Sequence, residues 1–170
     1  MTFKIQTLRR ANVAGIAVAV TMSLGMLAVT VSGASAASAQ CSKLDPNGRD
    51  SGGDTNVAIA IRDKKIDVVK KMLACGAEVN LKTTEGWAPL HTAAYYGRAS
   101  MIDLLVSKGA DVNARGDFDG WTPLHMASQQ RDPAVVKALL KDGADKTIKS
   151  TSGKTAAEMA SEPAIAALLK

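Results

Sequence analysis

Aromatic side chains make up only 4% of the sequence, and histidine and cysteine occur just twice each. That scarcity limits the chemistry available. Two cysteines and two distant histidines show no metal-ligand spacing, so no metal and no cofactor is expected. No Gly-x-Ser-x-Gly, phosphate loop, metal-binding histidine pair or dinucleotide fingerprint is present, and an enzyme is not expected. Long Lys/Arg clusters are missing too. Basic and acidic residues alternate as they do on solvated helix faces, which argues against a nucleic-acid partner.

Charge is absent from one stretch altogether. Ala11 to Val31 is uncharged and mostly apolar, follows Lys4, Arg9 and Arg10, and leads to the small-x-small site Ala37-Ser38-Ala39 before Gln40. This is the pattern of a cleaved N-terminal signal peptide over 1–39, and it predicts a periplasmic or secreted protein with no membrane contact after cleavage. A run of this length also nearly spans a bilayer, so an uncleaved signal anchoring the chain in the membrane is the alternative. Arg9-Arg10 raises the twin-arginine route, although Leu8 and Asn12 fit it poorly, and the export route stays open. The residues before Cys41 lack the Leu and the small residue that lipidation needs.

The signal distorts the overall charge of +5. Three of the 21 basic residues and none of the 16 acidic ones lie in the first 39, leaving 18 against 16, a net +2. In an oxidising compartment Cys41 and Cys75 would be free to form a disulfide. The register described below places Cys75 beside a helix end, where it should be accessible.

What the chain has in quantity is repetition. Gly86-Trp87-Ala88-Pro89-Leu90-His91 returns as Gly120-Trp121-Thr122-Pro123-Leu124-His125, each residue 34 positions later. Gly109-Ala110-Asp111-Val112-Asn113 and Gly143-Ala144-Asp145 follow the two histidines at equal distance. A spacing kept over two phrases is a structural repeat. After a lead-in over 40–54, rich in Gly, Ser, Asp and Asn and expected to be irregular, four units span 55–83, 84–117, 118–150 and 151–170.

Leu90, Ala93 and Ala94 share one helix face, and Met101, Ile102, Leu104 and Leu105 share another beyond Gly97, which predicts two short helices per unit. Pro89 and Pro123 suit a first helical position, where the missing N–H would be unpaired anyway. Thr155 and Glu158 make a capping box. One such helix pair cannot cover both of its apolar faces, so the units must stack into a solenoid.

These residues resemble the ankyrin repeat, whose pattern is Gly-x-Thr-Pro-Leu-His-x-Ala with a β-turn and two helices. Residues 120–127 match it fully, and Gly86 to Ala93 matches except at Ala88. The resemblance covers 55–170 and implies an all-α solenoid of about four helix-turn-helix units with β-turn connections. Three departures concern local geometry. Ala88 lacks the capping hydroxyl that Thr122 supplies, one residue is inserted among Gly116 to Asp119, and Arg131 stands where Gly97 breaks the helices.

The resemblance makes His91 and His125 framework residues that bond the turn and adjacent backbone, with His91 the looser for want of a threonine at 88. Ser100, Ser107 and Ser128 read as ordinary surface. The aromatics are more informative. Beyond the signal, Trp87, Tyr95, Tyr96, Phe118 and Trp121 all fall between 87 and 121, on turns and at the end of an inner helix, where the resemblance places partner contacts. Large aromatics among polar groups are common anchors of protein interfaces. Glu85, Asp117, Asp119, Gln129 and Gln130 would surround them with a mildly acidic rim suited to a basic, partly apolar patch.

The expected function is an exported, non-catalytic module, monomeric, that binds an unidentified protein through the concave turn and inner-helix face of units two and three. An inhibitor or immunity protein that blocks one enzyme or toxin is the alternative. Redox sensing through Cys41 and Cys75 is a third reading, and hydrolysis through His125 the weakest.

Overall fold

In the computed structural model the described residues are Cys41 and 43–170. The expected signal peptide lies outside them. From residue 56 onward the chain forms eight helices: α1 (Asn56–Arg62), α2 (Ile66–Ala74), α3 (Pro89–Tyr95), α4 (Ala99–Ser107), α5 (Pro123–Gln129), α6 (Pro133–Lys141), α7 (Ala156–Met159) and α8 (Pro163–Leu169). They pair as α1/α2, α3/α4, α5/α6 and α7/α8. Inner helices α1, α3, α5 and α7 pack in one row, and α4, α6 and α8 pack in an outer row. This is the all-α repeat solenoid expected from the sequence.

Local chemistry sets the helix starts. Thr55 is extended and its hydroxyl accepts from the Ala58 N–H at 3.2 Å. Asp132 caps α6 by accepting from Ala134 and Val135 at 2.9 and 3.2 Å. The Thr155/Glu158 box is formed, with the Thr155 N–H donating to Glu158 at 2.7 Å. At seven or nine residues, the helices of the first three units are too short to persist alone in water.

Packing therefore holds them. Val57, Ile61, Leu90, Ile102, Leu105, Leu124, Met126, Leu139 and Ile165 are fully buried in a core that runs through all four units. Each such leucine contributes about 2 kcal/mol by leaving water. Ser128 belongs inside as well, contrary to its expected surface position. It is wholly buried, and its hydroxyl donates to the Leu124 carbonyl one turn back at 2.8 Å, which satisfies the group without solvent.

The break between paired helices needs a left-handed residue, and Gly97 supplies it with φ 67°. Lys64 and Arg131 adopt φ 60° and 58° in the same slot. The missing glycines change the cost and not the geometry.

Each unit opens on a turn closed by a backbone hydrogen bond: Asp50 to Asp54, Thr83 to Trp87, Gly116 to Trp121 and Ser150 to Lys154. The third encloses four residues where the others enclose three, and this is the expected insertion. Adjacent turns sit close together. A Cβ on Gly86 would fall 2.5 Å from the Asp117 side chain.

A row of asparagines stitches the loops together. Asn47, Asn80 and Asn113 accept from the Glu78, Asp111 and Asp145 N–H groups at 2.8, 3.0 and 2.8 Å. Asn47 and the Asp50 turn lie within the lead-in, which is therefore not irregular. It supplies the turn of the first unit in register with the rest, and Arg49 pairs with Thr55 as Lys149 does with Thr155. Cys41 and Cys75 form a disulfide, so Cys75 is half-buried and not the accessible thiol expected.

Candidate functional site

Both histidines are framework. The His125 Nδ1 accepts from the Thr122 N–H at 3.1 Å and meets the Thr122 hydroxyl at 2.9 Å, while Nε2 donates to the Lys154 carbonyl at 3.1 Å. His91 repeats the arrangement with one bond fewer. Its Nδ1 accepts from the Ala88 N–H at 3.3 Å and its Nε2 donates to the Trp121 carbonyl at 2.9 Å. Within its own unit His91 is held by fewer and longer bonds than His125, as the missing hydroxyl leads one to expect, while the bond to the next unit is kept. Both nitrogens of each ring are engaged, which leaves neither for proton transfer. Burial pushes both imidazoles below their ordinary pKa, so they stay neutral.

The aromatic residues divide. Trp87 and Tyr95 rings lie 5.4 Å apart, and Tyr95 meets Tyr96 edge-on at 5.0 Å. Tyr95 and Tyr96 are both exposed. The Arg98 guanidinium stands 5.9 Å over the Tyr96 ring while donating to the Ile61 and Arg62 carbonyls at 3.2 and 2.6 Å. It thereby caps the last turn of α1 from the next unit.

Beside this cluster runs a groove between the first two units. Asp54 and, from α1, Ala58 and Arg62 line one side. Thr83, Glu85 and Trp87 from the turn, Thr92 from α3 and Tyr96 just after it line the other. Arg62 is held by Asp54 at 3.1 Å and Asp63 at 3.6 Å. Glu85 is exposed and takes part in no ion pair or side-chain hydrogen bond among the described residues.

The remaining expected contact residues lie elsewhere. Trp121 is half-buried against the core, with its N–H held by Asp119 at 2.9 Å. Asp117 pairs with Lys82. Those two carboxylates are taken up by Lys82 and by the backbone, so of the expected acidic rim only Glu85 is left without a partner among the described residues. Phe118 is 76% exposed in the lengthened turn and shares no ring contact with the others. Gln129 and Gln130 are exposed at the end of α5.

Sequence reasoning missed Asp54, Arg62 and Arg98. The first two occupy the slots of Trp87 and Tyr95 one unit earlier, and that register is the signal that would have found them. Among the described residues no group of three or more His, Cys, Asp or Glu side chains comes together as a metal site.

The profile of the family described as "Ankyrin repeats (3 copies)" matches residues 56–150. An ankyrin repeat-containing protein of Schizosaccharomyces pombe is 40% identical over 60 residues, covering 35% of this chain and 29% of that one. The protein phosphatase 1 regulatory subunit 12A of Mus musculus is 33% identical over 60 residues, which is 35% of this chain and 6% of that one. The Notch-regulated ankyrin repeat-containing protein of Xenopus tropicalis is 32% identical over 56 residues, 33% and 49% of the two chains. The chain thus spans less than half the length of each of these relatives. With that match over more than half of the chain, and the repeat register and helix pairs beside it, the chain belongs to the ankyrin-repeat family and carries a protein interaction module.

Proposed function

We propose that this chain is an exported, non-catalytic module that captures a protein partner on the turn and inner-helix face around Trp87, Tyr95 and Tyr96. The observation that carries the reading is that cluster. Three aromatic rings touch one another on a surface whose backbone is fixed by helix packing below and by the neighbouring turns alongside. Rigid aromatic area beside a groove is what an interface anchor requires, because little ordering remains to be done on binding. The groove carries the surface from the second unit toward the first.

The charged N-terminus, uncharged run and small-residue site before Gln40 support export, and the Cys41–Cys75 bond suits an oxidising compartment. The face is tested by replacing Trp87 and Tyr96 with alanine and comparing capture of partners from a cell-envelope extract. Undiminished capture overturns it. Export is tested by the N-terminal sequence of the protein recovered from each cell fraction, with Gln40 expected first.

A further inference from the structure

The groove between the first two units holds two recognition elements already satisfied by this chain and a third that is not. The Asp54 carboxylate holds the guanidinium of Arg62, and the Tyr96 ring carries that of Arg98. Trp87 and Glu85 are an aromatic face and a carboxylate on one turn, lining the same groove, with no cation on either among the described residues. Ala58, Thr83 and Thr92 of the lining are small and buried.

Charge points the same way. Within the lining Asp54 and Arg62 offset one another, and Glu85 is left as the carboxylate without a counter-charge among the described residues. A partner carboxylate would meet Glu85 with like charge. A purely apolar side chain would cover the Trp87 face and strip water from Glu85 without replacing its hydrogen bonds. A cationic side chain satisfies both, its stem on the ring and its head on the carboxylate.

We infer, resting on the reading of this face as the binding surface, that the groove receives an arginine side chain of the partner between Trp87 and Glu85. A planar guanidinium can lie on the indole and fork to the carboxylate at once, which an ammonium cannot. Arg62 is no obstacle, because Asp54 and Asp63 neutralise it from two sides.

The test uses N-acetyl-arginine amide and its neutral counterpart N-acetyl-citrulline amide as probes of the disulfide-bonded protein. The two tryptophan indole N–H resonances are followed by NMR. The arginine probe is expected to shift the Trp87 signal saturably and leave Trp121 in place, with citrulline binding about tenfold more weakly. Glu85→Gln, a change at an exposed side chain, should weaken arginine binding by a similar factor and leave the melting temperature unaltered. Equal response to both probes, movement of Trp121 alone, no saturable shift, or unchanged affinity in Glu85→Gln each overturns the inference. If partner capture still depends on Trp87 and Tyr96 in that event, the interaction face stands and only its arginine specificity falls. If capture does not depend on them, the face itself is wrong.

Discussion

The imidazole of His91 reaches out of its own unit and donates to the main-chain carbonyl of Trp121, 30 residues further on, at 2.9 Å. The second unit is thereby bonded to the turn of the third by a group that must stay neutral to keep its Nδ1 lone pair for the Ala88 N–H. His125 does the same toward Lys154.

That requirement makes stability depend on pH. Burial lowers both histidine pKa values below the ordinary 6.5, so the unfolded chain takes up these protons first as pH falls. Stability from this source is fully present above about pH 6.5 and is lost as pH falls from there toward the lowered folded pKa. Melting temperatures measured across that range should drop on the acid side, and the drop should shrink in His91→Gln. A flat profile would show that the rings accept protons in place.

Ala88→Thr should stabilise the protein. Position 88 is buried like Thr122, is extended like it, and starts a helix with the same Pro-Leu-His. Adding the hydroxyl restores the second contact to the histidine Nδ1, worth about 1 kcal/mol at a helix start. Denaturant titration of the variant would read the gain.

How far the chain could be read from its residues depends on where each interaction partner lies. The helix pairs were legible because Leu90, Ala93, Leu124 and Ala127 recur in phase. The turn of the first unit was not, because Asn47 looks like loop until the Glu78 N–H it serves is known to be alongside, and Asp50 until its bonds to Gly52 and Asp54 are seen. The candidate face was half legible. Trp87 and Tyr96 announce themselves by size, whereas Asp54 and Arg62 hold the same slots with side chains that read as ordinary surface. Ser128 was misread because a helical serine gives no sign that its hydroxyl points back to the Leu124 carbonyl.

Reducing the Cys41–Cys75 bond should lower stability by about 2 to 4 kcal/mol, the effect of opening a loop of this size. The sequence separation is 34, and the loop encloses the first turn and both helices of the first unit. Melting with and without reductant measures the loss. Limited proteolysis of the reduced protein should cut first within that loop.

On the outer row, Asp142 at the end of α6 has one carboxylate oxygen shielded and without a hydrogen-bond partner. Desolvation, joined by nearby Asp103, raises its pKa. A raised carboxyl costs stability in its charged form, and the cost is relieved as pH falls through the folded pKa. Asp142→Asn removes the charge and offers Asp103 a donor. It should raise stability at neutral pH by about 0.5 kcal/mol, small because the residue is only partly shielded from solvent screening. An unchanged melting temperature in the variant would place the charge in water.

A repeat stack is weakest at its ends, where a unit has one neighbour and opens most readily. The groove beside Trp87 borrows one of its walls, Ala58 and Arg62, from the first unit, which has one neighbouring unit among the described residues. Left to packing alone, that wall would come and go, and every binding event would first have to wait for it to close. The bond from Cys41 to Cys75 fastens the chain before α1 to the far end of α2, and Arg98 clasps the end of α1 from the other side. The first unit is held shut by a covalent link on one side and a guanidinium on the other, so the proposed face would need no closing step before a partner arrives.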